Sequence, residues 1–303
     1  MEEDINYIKI LLEVASEYEN GDINELKNNL LETNKVIVSL TSFLDEEKIQ
    51  IEFWKEHFEI LLVKYSFHSS LLLKIIEGTQ IIDLENRIVV MQDISSLRII
   101  ARVMIENYLT IYDLFFSPKS NSEGEMRFYL YELSGLTSRQ KFEAKNHENI
   151  IKKEIEKNRI AEIQELLKVN EYFMSLESKY QKATLSGKSS REISWEKLIE
   201  KSDIQSKLFR SLWRLFSNTA HSELLGAIQL KETIKNGQEK EIEEIFTTLF
   251  SCVLLNSCLI VNFLDLYPNS KRIFKNNSTD LYNKINVWSK LAKYDIEDKL
   301  ENE

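Results

Sequence analysis

The sequence predicts an all-α protein, a multi-helix bundle of long helices. The 303 residues include only 7 glycines and 2 prolines, so there are few positions for tight turns. Hydrophobic residues make up 43% of the chain, and their spacing is helical in almost every segment. These observations favour long helices joined by short polar connections, with no convincing sheet.

The individual helices follow from apolar periodicity and from residues that begin or end a helix. Asp22 and Asp93 are predicted N-caps, Gly78 is a predicted C-cap, and Pro118 ends the helix before it. The predicted helices are residues 4–18, 23–44, 46–77, 94–116, 126–136, 146–185, 195–199, 203–220, 239–267 and 279–291.

The remaining segments are predicted to connect these helices. Residues 81–90 are predicted to form an irregular connection, although a short two-stranded element fits the same pattern. Residues 119–125 form a predicted polar loop, and residues 184–194 form a predicted flexible linker. We expect residues 1–90 to pack as a helical segment on a core formed by residues 91–303.

The predicted centre of the bundle comprises the helices at 94–116, 203–220 and 239–267, whose apolar faces are the widest. The last of these is nearly long enough to span a bilayer. It is interrupted by polar residues and has no flanking basic cluster, which favours a buried core helix over a membrane span. Cys252 and Cys258 lie within it as buried apolar residues of a reducing compartment, so we expect a cytoplasmic protein without a membrane anchor.

Charge and motif content exclude several classes of function. A net charge of −10 disfavours a protein that coats nucleic-acid duplexes. The four histidines lack the spacing of a metal site, and no Cys-x-x-Cys is present, so no metal or other cofactor is predicted. The sequence also lacks a Gly-rich phosphate loop, a nucleophile elbow and a dinucleotide fingerprint.

The predicted helix at 203–220 carries the most informative pattern in the chain. At 100° per residue, one face holds a cationic stripe that comprises Arg210, Arg214, Ser217, Asn218 and His221. Two arginines suit a phosphate group, and a histidine titrates near neutral pH. A plain solvent-facing surface fits the same spacing equally well.

A second polar set lies on the apolar helix at 94–116. Arg98, Arg102 and Glu106 recur every four residues and share one face. If this face meets the cationic stripe, the two helices would enclose a cationic pocket with one carboxylate. The alternative is a set of structural ion pairs, because charges in a buried helix are costly unless they are paired.

The spacing Arg214-x6-His221 on a helix of an all-α bundle resembles the Arg-x4–6-His motif of the HEPN superfamily. The resemblance covers about residues 93–265 and includes the helix with Arg98, Arg102 and Glu106. It implies a metal-independent ribonuclease, a bacterial defence or toxin effector whose two motifs meet in a homodimer. His221 would then be the general acid or base, Arg214 and Arg210 would stabilise phosphoryl charge, and Asn218 would orient the phosphate.

Two other functions remain open from the sequence. One is a non-catalytic helical interaction protein, such as a sensor, immunity or assembly subunit with a protein partner encoded nearby; the acidic composition and long helices favour it. The other is a module that binds a nucleotide or small anion without cleaving it, through Arg98, Arg102, Arg210 and Arg214.

Overall fold

The computed structural model describes residues 9–10, 12–16, 21–46, 52–220, 224–274 and 279–293. The protein is all-α, as the sequence predicts. The α-helices are α1 (Ile23–Glu46), α2 (Phe58–Ile75), α3 (Ile94–Ile111), α4 (Asn121–Gln140), α5 (His147–Val169), α6 (Glu171–Ser175), α7 (Ser178–Leu185), α8 (Trp195–Lys201), α9 (Ser206–Ala220), α10 (Leu224–Asn236), α11 (Gln238–Leu266) and α12 (Thr279–Lys293). Residues 12–16 are also helical, and short 3-10 helices occupy Phe53–Lys55 and Pro268–Phe274.

The chain forms two compact units. One contains the described parts of residues 1–49, 59–109 and 199–303, and the other contains the described parts of 50–58 and 110–198. α1 belongs to the same unit as α11. The division between 90 and 91 that we expect from the sequence stays a prediction.

The first unit is built around α11. This helix packs against α1 and α12, and its residues from 252 to 260 are all buried. The amide of Asn256 donates to Thr33 Oγ1 of α1 at 2.9 Å, so its nitrogen keeps a partner in the core. α11 therefore takes a central position, as predicted, and the N-terminal helix α1 is one of its principal neighbours.

α11 is also long and apolar enough to cross a membrane, and it is the one helix of the described chain with this property. In the protein, however, 72% of its most apolar window is buried among other residues. This burial favours a core helix, the interpretation that its interrupting polar residues suggest.

The second unit is organised around α4 and α5. Arg159 of α5 forms a bidentate pair with Glu132 of α4, with distances of 2.9 and 2.8 Å. Gly124 of α4 lies directly against the indole of Trp54, where an added Cβ would approach ring carbons to 2.8 Å. The ion pair between α4 and α5 and the close ring contact are two of the interactions that hold this unit together.

Several predicted boundaries were wrong for local reasons. The helix predicted at 46–77 is shorter, since a 3-10 turn at Phe53–Lys55 precedes α2. α4 begins at Asn121 within the predicted polar loop, because the Ser120 side chain caps it by accepting from the Glu123 N–H. The helix predicted at 146–185 is broken at Asn170, whose side chain caps α6.

Two further differences concern the segments on either side of α3. Residues 81–90 are not an irregular connection: β1 (Thr79–Ile82) and β2 (Ile88–Met91) form an antiparallel hairpin, the alternative that the sequence also allows. At the other end of α3 the α-helix stops at Ile111, and Tyr112–Phe116 continues as a π-helical turn. The Asp93 N-cap is confirmed, since its carboxylate accepts from the Ser96 N–H at 2.9 Å.

Candidate functional site

The first unit brings one face of α3 against α9. Glu106 of α3 is the contact point: its Oε1 atom accepts from the Trp213 indole N–H of α9 at 3.0 Å. The same oxygen accepts from Arg102 Nε at 3.0 Å. The Arg102 guanidinium also lies 5.6 Å from the centre of the Trp213 ring. Two of the three charged residues predicted on α3 therefore reach the helix that carries most of the cationic stripe.

Arg98 is placed differently from Arg102 and Glu106. Its side chain is 3% exposed, and its guanidinium binds Glu244 of α11 at 2.7 Å and Gln229 of α10 at 3.2 Å. Arg98 is therefore not available to a ligand in this structure. It holds α3, α10 and α11 together, which is the structural ion pair that the sequence left open as an alternative.

The cationic stripe begins at Arg210, which forms an ion pair with Glu200 of α8. This pair is partly exposed, with 32% of the Arg210 side chain and 47% of the Glu200 side chain accessible. Exposed pairs contribute little free energy, about 0–1 kcal/mol. A phosphate group would therefore compete with the Glu200 carboxylate at low cost.

The remaining described members of the stripe occupy the C-terminal half of α9. Arg214 is exposed, and Ser217 and Asn218 are half-buried. The Ser217 hydroxyl donates to the Trp213 carbonyl at 2.6 Å. His221, the predicted acid or base, lies outside the described residues, so its distance to Arg214 stays a prediction.

The end of α9 is fixed by a close approach of α10. A Cβ added at Gly226 would lie 2.7 Å from the carbonyl oxygen of Asn218 and 3.2 Å from Thr219 Cα. These are backbone atoms and cannot move aside as a side-chain tip would. Gly226 therefore allows α10 to pack directly on the turn of α9 that carries Asn218.

We expect Gly226→Ala to lower the free energy of unfolding by about 1–3 kcal/mol, because the added methyl group forces two helices apart. The matched control is Gly135→Ala, at an exposed helical position with no atom within 4 Å of the new Cβ. There we expect alanine to stabilise the protein by roughly 0.5–1 kcal/mol. Urea denaturation measures both. Equal effects at the two glycines would contradict the close approach.

A second polar network lies further along α3 and has no counterpart in our sequence predictions. The Tyr108 hydroxyl donates to Asp203 Oδ1 at 2.5 Å, and the Asn262 amide donates to Asp203 Oδ2 at 2.8 Å. Lys293 Nζ lies 2.8 Å from Asp203 Oδ2 and donates to Asn262 Oδ1 at 2.9 Å. Burial disfavours the ammonium of Lys293, but the attraction of Asp203 outweighs it and raises the pKa of Lys293.

The hydrogen-bonded pairs of this network are 31 to 154 positions apart in the chain, so no local motif could reveal it. Its groups are satisfied by one another. It joins the segment before α9 to the end of α12, where the Gln205 N–H also donates to the Ala292 carbonyl at 2.7 Å. The network therefore fixes where α9 begins and has a structural role.

The chain matches no protein-family model, no curated protein and no solved structure. Among the described residues, no three His, Cys, Asp or Glu side chains are grouped so that they could hold a metal ion. The face shared by α3 and α9 is therefore the candidate functional site.

Proposed function

We propose that the protein is a HEPN-like, metal-independent ribonuclease that binds a phosphate of single-stranded RNA beside α9. The observation that carries this proposal is the contact of Glu106 with Trp213, which brings Arg102 to α9. Arg210 and Ser217 precede and follow Trp213 by three and four residues, so they lie next to it on the helix surface. The face thus combines the arginine side chains with the Glu106 carboxylate, which pairs with Arg102.

The proposed reaction uses groups that the RNA itself provides. The 2′-hydroxyl oxygen attacks the adjacent phosphorus while the 5′-oxygen of the next nucleotide leaves. His221 would remove the proton from the nucleophile or protonate the leaving oxygen. Arg214, assisted by Arg210, would stabilise the negative charge that grows on the phosphoryl oxygens, and Asn218 would orient the phosphate.

The proposal includes a homodimer in the cytoplasm. In an ideal helix, two residues seven positions apart stand about 10 Å apart along the axis. With this spacing Arg214 and His221 would bracket a phosphate and would not touch each other. A second copy would supply cations from the opposite side. In this proposal the protein acts as a bacterial defence or toxin effector.

The direct test is incubation of the purified protein with varied single-stranded RNAs, in the presence and absence of EDTA and of its natural trigger or partner. We expect cleavage that EDTA does not reduce. Full-length RNA after incubation of the wild-type protein with its trigger would remove the catalytic proposal. Cleavage that EDTA abolishes would contradict the metal-independent mechanism.

A non-catalytic interaction protein is the second candidate, and a specific observation favours it. Arg98, Arg102 and Arg210 each bind a carboxylate, so the predicted cationic pocket carries much less net charge than its arginines suggest. This candidate predicts that the wild-type protein leaves RNA intact. It also predicts that substitutions in the cationic stripe change the affinity for a protein partner and leave RNA untouched.

A further inference from the structure

The β1–β2 hairpin has a well-defined construction. Thr79 pairs with Met91 and Ile82 pairs with Ile88 at its two ends. In the turn, the Asp83 carboxylate accepts from the backbone N–H groups of Glu85 and Arg87 and from the Arg87 side chain. The backbone of the hairpin is therefore held in one register by its own hydrogen bonds.

This hairpin exposes apolar side chains on both faces. Ile81 and Val89 lie opposite each other on one face, and Ile82 and Ile88 lie opposite each other on the other. All four are more than half exposed, and Leu84 at the turn is fully exposed. Antiparallel sheets with one solvent-exposed face commonly alternate apolar and polar residues along each strand. An isolated hairpin that is apolar on both sides is marginally stable in water and gains from a partner that covers it.

The two outer edges of the hairpin are also open. Among the described residues the sheet has two strands, so one edge of β1 and one edge of β2 have no neighbouring strand. Free edges pair readily with another strand unless charges or prolines prevent it. Neither strand contains a charged residue or a proline. The hairpin therefore lacks the usual protection against strand addition.

The distribution of charge on the hairpin indicates which kind of partner can cover it. The chain has a net charge of −10, yet the charges of the hairpin are confined to its turn, where Arg87 pairs with Asp83 and Glu85. An anionic membrane or a nucleic acid would require cations that the strands do not offer. A two-fold contact between identical copies would bury no like charges on these strands, so nothing electrostatic opposes it there.

We propose that the β1–β2 hairpin is a homodimer interface, in which the hairpin of a second copy covers the hairpin of the first. The six residues Ile81, Ile82, Leu84, Ile88, Val89 and Val90 together expose an area on the order of several hundred Å², divided between the two faces and the turn. A stable interface buries about 800 Å² per partner.

The test introduces charge on both faces of the hairpin with the double variant Ile88→Lys/Val89→Lys. These side chains are 60% and 51% exposed. The matched control is Ile150→Lys/Ile155→Lys on α5, where the side chains are 53% and 63% exposed. Sedimentation velocity measures the dimer dissociation constant, and circular dichroism verifies that each variant is folded.

We expect a wild-type dimer at micromolar concentration, an increase of about 100-fold or more in the dissociation constant of the hairpin variant, and an unchanged dimer in the α5 control.

Hydrogen exchange provides a measurement that needs no substitution: the amides of residues 79–82 and 88–91 should exchange more slowly as the concentration of wild-type protein increases. A wild-type monomer, or a dimer that survives the hairpin variant, would overturn the interface. So would a monomer that binds neutral phosphatidylcholine vesicles, which would assign the hairpin to a lipid surface.

The hairpin interface does not depend on the nuclease proposal. A monomer that cleaves RNA would overturn this interface and the homodimer of the nuclease proposal, but it would support the nuclease activity. A hairpin-mediated dimer that leaves RNA intact would overturn the nuclease activity alone.

Discussion

Replacing His221 with alanine is expected to slow the cleavage of single-stranded RNA by about 10²–10⁴-fold, the usual loss when a general acid or base is removed. The melting temperature should hardly change, because a histidine in a polar stripe contributes little packing; we expect the free energy of unfolding to change by less than about 1 kcal/mol. The two readouts separate a catalytic role from a structural one. Initial rates of cleavage and thermal unfolding measure them.

Two companion variants make this experiment specific. Arg214→Ala should reduce the rate by a similar factor, because it removes charge that stabilises the phosphoryl oxygens. His147→Ala, at an exposed histidine at the start of α5, should leave the rate unchanged. Equal cleavage rates for the wild-type protein and for both the His221 and the Arg214 variants would contradict the proposed catalytic roles of these residues. A large loss of stability in His221→Ala would instead assign the residue to the fold.

Replacing Arg98 with alanine is expected to destabilise the protein by about 3–5 kcal/mol, because it leaves the Glu244 carboxylate without its principal cation in a mostly buried site. The Glu244 side chain is 14% exposed, and the next ammonium, Lys240 Nζ, is 4.0 Å from its Oε1 atom. Partial compensation by Lys240 would place the loss at the lower end of this range. The free energy of unfolding in urea is the appropriate measurement.

The double variant Arg98→Met/Glu244→Met tests the physical reason. Removing both partners of a buried pair is often neutral, so we expect the double variant to recover most of the stability that Arg98→Ala loses. Lys168→Ala is the exposed control, since its pair with Glu165 lies on the surface of α5 and should contribute less than about 1 kcal/mol. If Arg98→Ala instead weakens RNA binding at unchanged stability, the structural assignment of Arg98 is wrong.

Much of the fold could be predicted from the sequence because its signals are local. The apolar run of α11 and the Asp93 cap of α3 each depend on residues a few positions apart. Two of the predicted boundaries, at Ser120 and Asn170, were wrong because a polar side chain caps a helix there, and hydrophobic periodicity does not record capping. Asn170 is an example: it lies within a continuous helical pattern, yet it ends α5 and caps α6.

The candidate site shows the same division between local pattern and tertiary contact. Spacing alone places Arg98, Arg102 and Glu106 on one face of a helix, and it places Arg210 and Arg214 on one face of another. Spacing could not show that Arg98 is buried and pairs with Glu244 whereas Arg102 reaches Trp213. Both partners are more than 100 positions away in the chain.

The sequence by itself determined the all-α class and the amphipathic helices, since both follow from spacing within single segments. The tertiary structure decided which charges are neutralised, which helix ends approach closely at Gly226, and that the apolar side chains on both faces of the hairpin stay exposed. The physical reason is that burial and ion pairing depend on neighbours brought together by packing. A charge or an apolar side chain therefore acquires its role when the chain has folded.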